Sequence, residues 1–145
     1  MGGIFGVVSK TDCIAELFYG TDYHSHLGTM RGGMVVRNGK NLKRTIHNIT
    51  NAQFRSKFED DLPKFVGNMG LGVISDYEDQ PLVIYSHHGT YAIVTVGKID
   101  NFEELTKAAL DNYTTHFSEV RGGEINPTEL IATIINGGKT LVDGI

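Results

Sequence analysis

The chain has 145 residues, 40% of them hydrophobic and 21% charged, with a net charge of −4 at neutral pH. This composition is that of one soluble globular domain spanning residues 1–145, and it excludes the disordered class. The acidic balance speaks against a nucleic-acid partner, which wants a basic face. No run reaches the ~20 apolar residues of a membrane span, and no basic segment leads into an apolar signal core. The lone cysteine, Cys13, rules out an internal disulfide and suits a reducing compartment, so the expected location is the cytoplasm.

Met1-Gly2-Gly3-Ile4-Phe5-Gly6-Val7-Val8 opens the chain as an apolar, β-forming run. It reads as a buried central strand that delivers residue 2 to a pocket. A polar turn follows, in which Thr11 or Asp12 caps a short helix carrying Ile14, Leu17 and Phe18 on one face, with Gly20 as its end. Cys13 has no basic neighbour to activate it and reads as a small buried hydrophobe. His24 and His26, at i, i+2 on an extended stretch near Asp22, lack a third ligand, and a structural or hydrogen-bonding role is favoured over a metal site. Gly28, Gly32 and Gly33 mark a loop that needs positive φ or close approach of the backbone.

Val35-Val36 resume a strand, and Asn38-Gly39 signals a hairpin turn. Lys40, Lys43 and Arg44 beside it read as a solvated turn. Residues 42–49 alternate as a half-exposed strand. Residues 51–65 place Phe54, Phe58, Leu62 and Phe65 along one side of an amphipathic helix, which Pro63 ends or interrupts. A glycine-rich strand over 67–74 leads to an acidic surface loop with Asp76, Glu78 and Asp79. Residues 82–85 and 91–96 form a hairpin across Ser86-His87-His88-Gly89. Asp100 or Asn101 caps a helix reaching about Leu110, residues 113–121 stay ambiguous, and Gly122-Gly123 is a loop. Pro127 opens a last helix over 128–135, after which the chain stops at Ile145 without a finished element, as if cut.

Six segments in this order resemble the glutaminase domain of class II glutamine amidotransferases, closest to the amidophosphoribosyltransferase branch. Members open Met-Cys-Gly-Ile-Phe-Gly, against Met1-Gly2-Gly3-Ile4-Phe5-Gly6. Their His-Arg-Gly-Gln-Glu-Ser-Ala-Gly loop aligns with His26 to Gly33, their Gly-x-Gly-His-Val-Arg strand with Gly70-Leu71-Gly72-Val73-Ile74-Ser75, and Glu-Ala-Gln-Pro with Glu78-Asp79-Gln80-Pro81. Their His-Asn-Gly-Asn-Leu-x-Asn aligns with Thr95-Val96-Gly97-Lys98-Ile99-Asp100-Asn101. Their Ser-Asp-Ser/Thr-Glu helix start aligns with Asn126-Pro127-Thr128-Glu129. The resemblance implies an α+β, N-terminal-nucleophile hydrolase fold, a four-layer αββα sandwich of antiparallel sheets, truncated at its C-terminus.

The resemblance also implies a chemistry whose residues have changed. In the family the exposed cysteine supplies both thiol nucleophile and amine base; here Gly2 stands in its place. The arginine and aspartate that hold the substrate's α-carboxylate and α-amino groups correspond to Ser75 and Pro127. The oxyanion-hole Asn-Gly pair becomes Val96-Gly97, and loss of one such donor costs about 10²–10³ in rate. No catalytic residue, metal or cofactor is therefore expected.

Three readings follow. The chain is a structural or regulatory domain that cannot hydrolyse glutamine, beside a downstream phosphoribosyltransferase domain. Or its pocket, lined by Thr29, Arg31, Ser75 and Gly97, binds another small polar ligand. Least favoured is an unrelated activity built on Asp22, His24 and His26. Exposed sheet edges would also suit a homo-oligomer.

Overall fold

The computed structural model describes residues 2–26, 30–76, 78–112, 115–118 and 120–145. They divide into two compact units, residues 1–83 with 92–97 and residues 84–91 with 98–145.

The first unit is built on a four-stranded antiparallel sheet in the order β1-β4-β2-β3, with β1 Gly3–Val8, β2 Arg31–Asn38, β3 Asn41–Asn48 and β4 Met69–Ser75. The β2–β3 turn is the expected one, with Gly39 at φ 60°. One sheet face carries Phe5, Val7, Met34, Val36 and Ile74 into a core completed by Leu17 and Phe18 of α1 (Ile14–Tyr23), by Phe54 and Phe58 of α2 (Phe54–Phe58), and by Ile49, Leu62 and Phe65. Each fully buried Phe contributes about 1.5–3 kcal/mol. Glycines set how near α1 comes: a Cβ on Gly72 would overlap the Thr21 hydroxyl, and one on Gly70 would press on Leu17 at 2.6 Å.

Several expectations need correction. Among the described residues β1 is an edge strand, not a central one, with Ile4 42% and Val8 74% exposed on its outer side. An apolar run reads as buried on both faces; here only the Gly3, Phe5, Val7 side is covered. Gly20 does not end α1 but lies inside it, because a Cβ there would overlap the Phe5 ring. The cap position is Cys13, without a side-chain bond, while the Asp12 carboxylate accepts from Gly67 N at 2.8 Å. Gly32 and Gly33 belong to β2, not to a loop.

The helix expected over 51–65 is only five residues long. A turn and a 3₁₀ stretch, Leu62–Lys64 with Pro63, complete the segment while keeping its phenylalanines inward. Of the basic cluster, Lys40 is in the turn. Lys43 and Arg44 are on β3, donating to the Lys64 and Pro81 carbonyls at 2.6 and 2.9 Å.

The second unit holds the tip of the hairpin β5 (Leu82–Ser86) to β6 (Gly89–Ile93), then α3 (Phe102–Asn112), the short pair β7 (Val120–Arg121) and β8 (Glu124–Ile125), and α4 (Pro127–Asn136). Gly122-Gly123 is the β7–β8 turn, at φ 60° and 87°. The helix opened by Pro127 is not the last, for α5 (Leu141–Gly144) follows. The Asn126 side chain caps α4 by accepting from Thr128 N at 2.9 Å. At its other end His88 and His87 donate to the Ile135 and Gly138 carbonyls, at 3.3 and 3.1 Å.

A polar cluster ties the segment after α2 to β3. Asp61 accepts from His47 at 2.6 Å, from Thr45 at 2.8 Å and from Lys64 at 3.1 Å. The His47 bond above all, helped by those of Thr45 and Lys64 and opposed by desolvation, lowers the Asp61 carboxyl from 3.8 to about 2. Because the folded value lies below the unfolded one, the stability this group lends is complete above about pH 4 and is lost as pH falls toward 2. The Asp61→Asn variant should show a flatter fall of the denaturant midpoint over that window than the natural chain.

Candidate functional site

Antiparallel pairing gathers three expected positions at one end of the sheet. Arg31 begins β2 and Ser75 ends β4, and the two are register partners, so their side chains share a face. Gly3 pairs with Ile74, which sets Gly2 beside the end of β4. A Cβ on Gly2 would overlap the Ile74 carbonyl oxygen and lie 3.4 Å from the Ser75 Cα. Residue 2 has no room for a side chain unless the backbone shifts.

The loop after β4 is bolted over this row. Arg31 donates from Nε to the Asp79 carboxylate at 2.8 Å and from Nη1 to the Met30 carbonyl at 3.3 Å. Ser75 donates from Oγ to the Glu78 carbonyl at 2.6 Å. The Gln80 amide, 1% exposed, brackets Thr95, donating from Nε2 to its carbonyl at 2.9 Å and accepting its N–H on Oε1 at 2.7 Å. Gly33 explains why β2 needs a glycine: a Cβ would overlap the Gln80 carbonyl oxygen.

This bracket anchors the stretch that carries Val96 and Gly97. Val96 is 42% exposed. Gly97 holds φ 154° with open space where a Cβ would be, so its glycine answers to backbone conformation, not crowding. Pro127 belongs to the second unit, where it opens α4. Thr29, and Gly28 beside it, lie outside the described residues.

Ser75 gives its proton to a backbone carbonyl, and Arg31 already holds a carboxylate. Among the described residues this row pairs no nucleophile with a base.

Asp22, His24 and His26 do not form the extended i, i+2 pair, since His24 and His26 sit in a turn after α1. Asp22 holds Arg55 at 2.6 Å. The His24 ring packs on Gly3, its Nδ1 buried without a hydrogen-bond partner among the described residues. His26 lies edge-on to Tyr23. Cys13 is fully buried, and burial above all, with Asp12 and Glu16 adding to it, pushes its thiol pKa up, away from the thiolate.

Three features escaped sequence reasoning. The sequence around Asp79 and Gln80 reads as a polar surface loop, although their partners sit 48 and 15 positions away. An open cleft of about 360 Å³ lies between Asp22, Ser25, Ile49, Ala52, Gln53, Phe54 and Arg55, and includes none of the strand-end residues.

This mixed architecture of helices and antiparallel sheet is the fold that the resemblance implied. Two solved structures carry the same fold over the full length of the chain. One is the glutamine phosphoribosylpyrophosphate amidotransferase from B. subtilis complexed with ADP and GMP, with TM-score 0.82 and 23% identity. The other is described as the allosteric regulatory enzyme of purine biosynthesis, with TM-score 0.80 and 24% identity. The chain spans only 31% and 32% of those two. At this identity the likeness establishes the fold. No family model matches the sequence, and no curated protein matches it.

The Gln80 bracket gives a direct check. Replacing Gln80 by Leu removes both bonds to the Thr95 backbone from a buried position, and should cost about 2 kcal/mol or more in urea unfolding. Faster amide exchange at Thr95 should accompany it.

Proposed function

We propose that this chain is a glutaminase-fold domain that cannot hydrolyse glutamine and serves a structural or regulatory role in an amidophosphoribosyltransferase-like protein. The observation that carries the reading is at residue 2. Where the related fold would present a thiol, Gly2 lies so close to the Ile74 carbonyl that no side chain fits without a backbone shift. Two further positions support it: Ser75 is committed to its own loop, and Val96 has no side-chain amide to offer an oxyanion. In a longer protein, a downstream phosphoribosyltransferase domain would use free ammonia, or none, with this domain as its cover. The domain assignment for residues 1–145 and the cytoplasmic setting belong to the same proposal. Among the described residues, no helix is long and apolar enough to cross a membrane.

A second reading has one observation in its favour. Arg31, 11% exposed at the strand ends, keeps a fixed cation on the same face as Ser75, which suits a pocket of Thr29, Arg31, Ser75 and Gly97 turned to another small polar ligand.

Ammonia release from glutamine tests the main reading. The purified chain should give none. The Gly2→Cys variant should also give none, because it restores a thiol without the carboxylate and amino anchors or the oxyanion donor. Turnover by the natural chain would overturn the proposal.

A further inference from the structure

In the Arg31–Asp79 pair the cation is the partner withdrawn from water, whereas in the Arg55–Asp22 and Lys64–Asp61 pairs it is the carboxylate. The guanidinium is 11% exposed and fixed on a sheet strand, whereas the carboxylate that meets it is 47% exposed and comes from a loop. Asp79 thus reaches a sequestered cation from outside, as a ligand would. The loop does not depend on this contact for its place. On one side of Asp79 the Glu78 carbonyl is held by Ser75 Oγ at 2.6 Å. On the other, Gln80 is clamped to Thr95 and the Pro81 carbonyl accepts from Arg44 at 2.9 Å.

We propose that Arg31 is a carboxylate-binding site whose resident occupant is the Asp79 side chain, which a small free carboxylate replaces. The proposal rests on the reading of this pocket as one that binds and does not hydrolyse, and it names the chemical class of its ligand. Charge-assisted bonds from arginine to a carboxylate are short and directional, which selects a carboxylate over a halide of equal charge. A tethered side chain competes at high effective concentration, so the natural chain binds a free carboxylate weakly. Acetate carries the same carboxylate and carbon as the Asp79 side chain and is the matching probe.

The test uses the full chain and acetate as the probe. The Asp79→Ala variant is titrated with sodium acetate, against sodium chloride at equal ionic strength, by calorimetry and by the melting midpoint. The expected result is saturable acetate binding about tenfold or more tighter than in the natural chain, with a rising midpoint, and loss of both in the Arg31→Gln, Asp79→Ala double variant. Equal effects of chloride and acetate, equal responses of variant and natural chain, or an acetate response that survives Arg31→Gln would each overturn it. If Asp79→Ala does not fold, Asp79→Asn keeps the side-chain volume and cancels the charge. It should still bind acetate more tightly than the natural chain, and no gain there overturns the proposal. Acetate binding is read without turnover and glutaminase activity without acetate, so either reading can fail while the other stands.

Discussion

The pairing of β4 with β1 on one side and β2 on the other is the constraint on which the rest of the first unit depends. Antiparallel register leaves no freedom: once Gly3 faces Ile74 and Arg31 faces Ser75, the start of β1, the end of β4 and the start of β2 must meet at one end of the sheet. The same register puts Gly70 and Gly72 under α1, where side chains would collide with Leu17 and Thr21. A slip of one residue would turn Ile74, Met34 and Phe5 out of the core and bring Arg31 toward the helix side.

The strand-end row is polar, and its polarity is satisfied internally. A guanidinium mostly withdrawn from water is costly without a partner, and Asp79 supplies one. The serine hydroxyl and the glutamine amide likewise find backbone acceptors and donors within their own unit. These bonds are worth about 1 kcal/mol each in net terms, but losing one partner costs more, because the other stays buried. The site is stiff for that reason. It sits on strands, and the loop after β4 is held through Glu78, Asp79, Gln80 and Pro81.

Much of this was legible beforehand. Asn38-Gly39 announced the β2–β3 turn, and the alternation over 42–49 announced a strand with one wet side. Pro127 marked a helix start by its fixed φ and missing N–H. The order of six short motifs was enough to expect the glutaminase fold, which the solved structures bear out. What stayed hidden depends on distant partners. Gly32-Gly33 reads locally as a loop, and only the arrival of Gln80, 47 residues later, explains a glycine inside a strand. Gly20 looks like a helix stop until the Phe5 ring is placed against it. The phenylalanines of 51–65 share one side at helical spacing, yet a helix interrupted at Glu59 and resumed as a 3₁₀ turn keeps them equally buried, so burial periodicity could not separate the two. The Arg31–Asp79 pair has no local signature at all.

The place of β1 has a consequence for how the chain comes to be folded. Its partner β4 begins 61 residues after Val8, whereas β2 and β3 are joined by a two-residue turn. Loop-closure entropy favours the short connection first, so the β2–β3 hairpin forms early and the sheet grows outward from it. At a ribosomal pace of ~5–20 residues per second, the first strand made waits several seconds for the strand it pairs with. During that wait an apolar segment with unpaired backbone groups is open to any other extended chain. The glycines at 2, 3 and 6, poor strand formers by themselves, reduce that hazard by keeping the segment loosely ordered until β4 arrives.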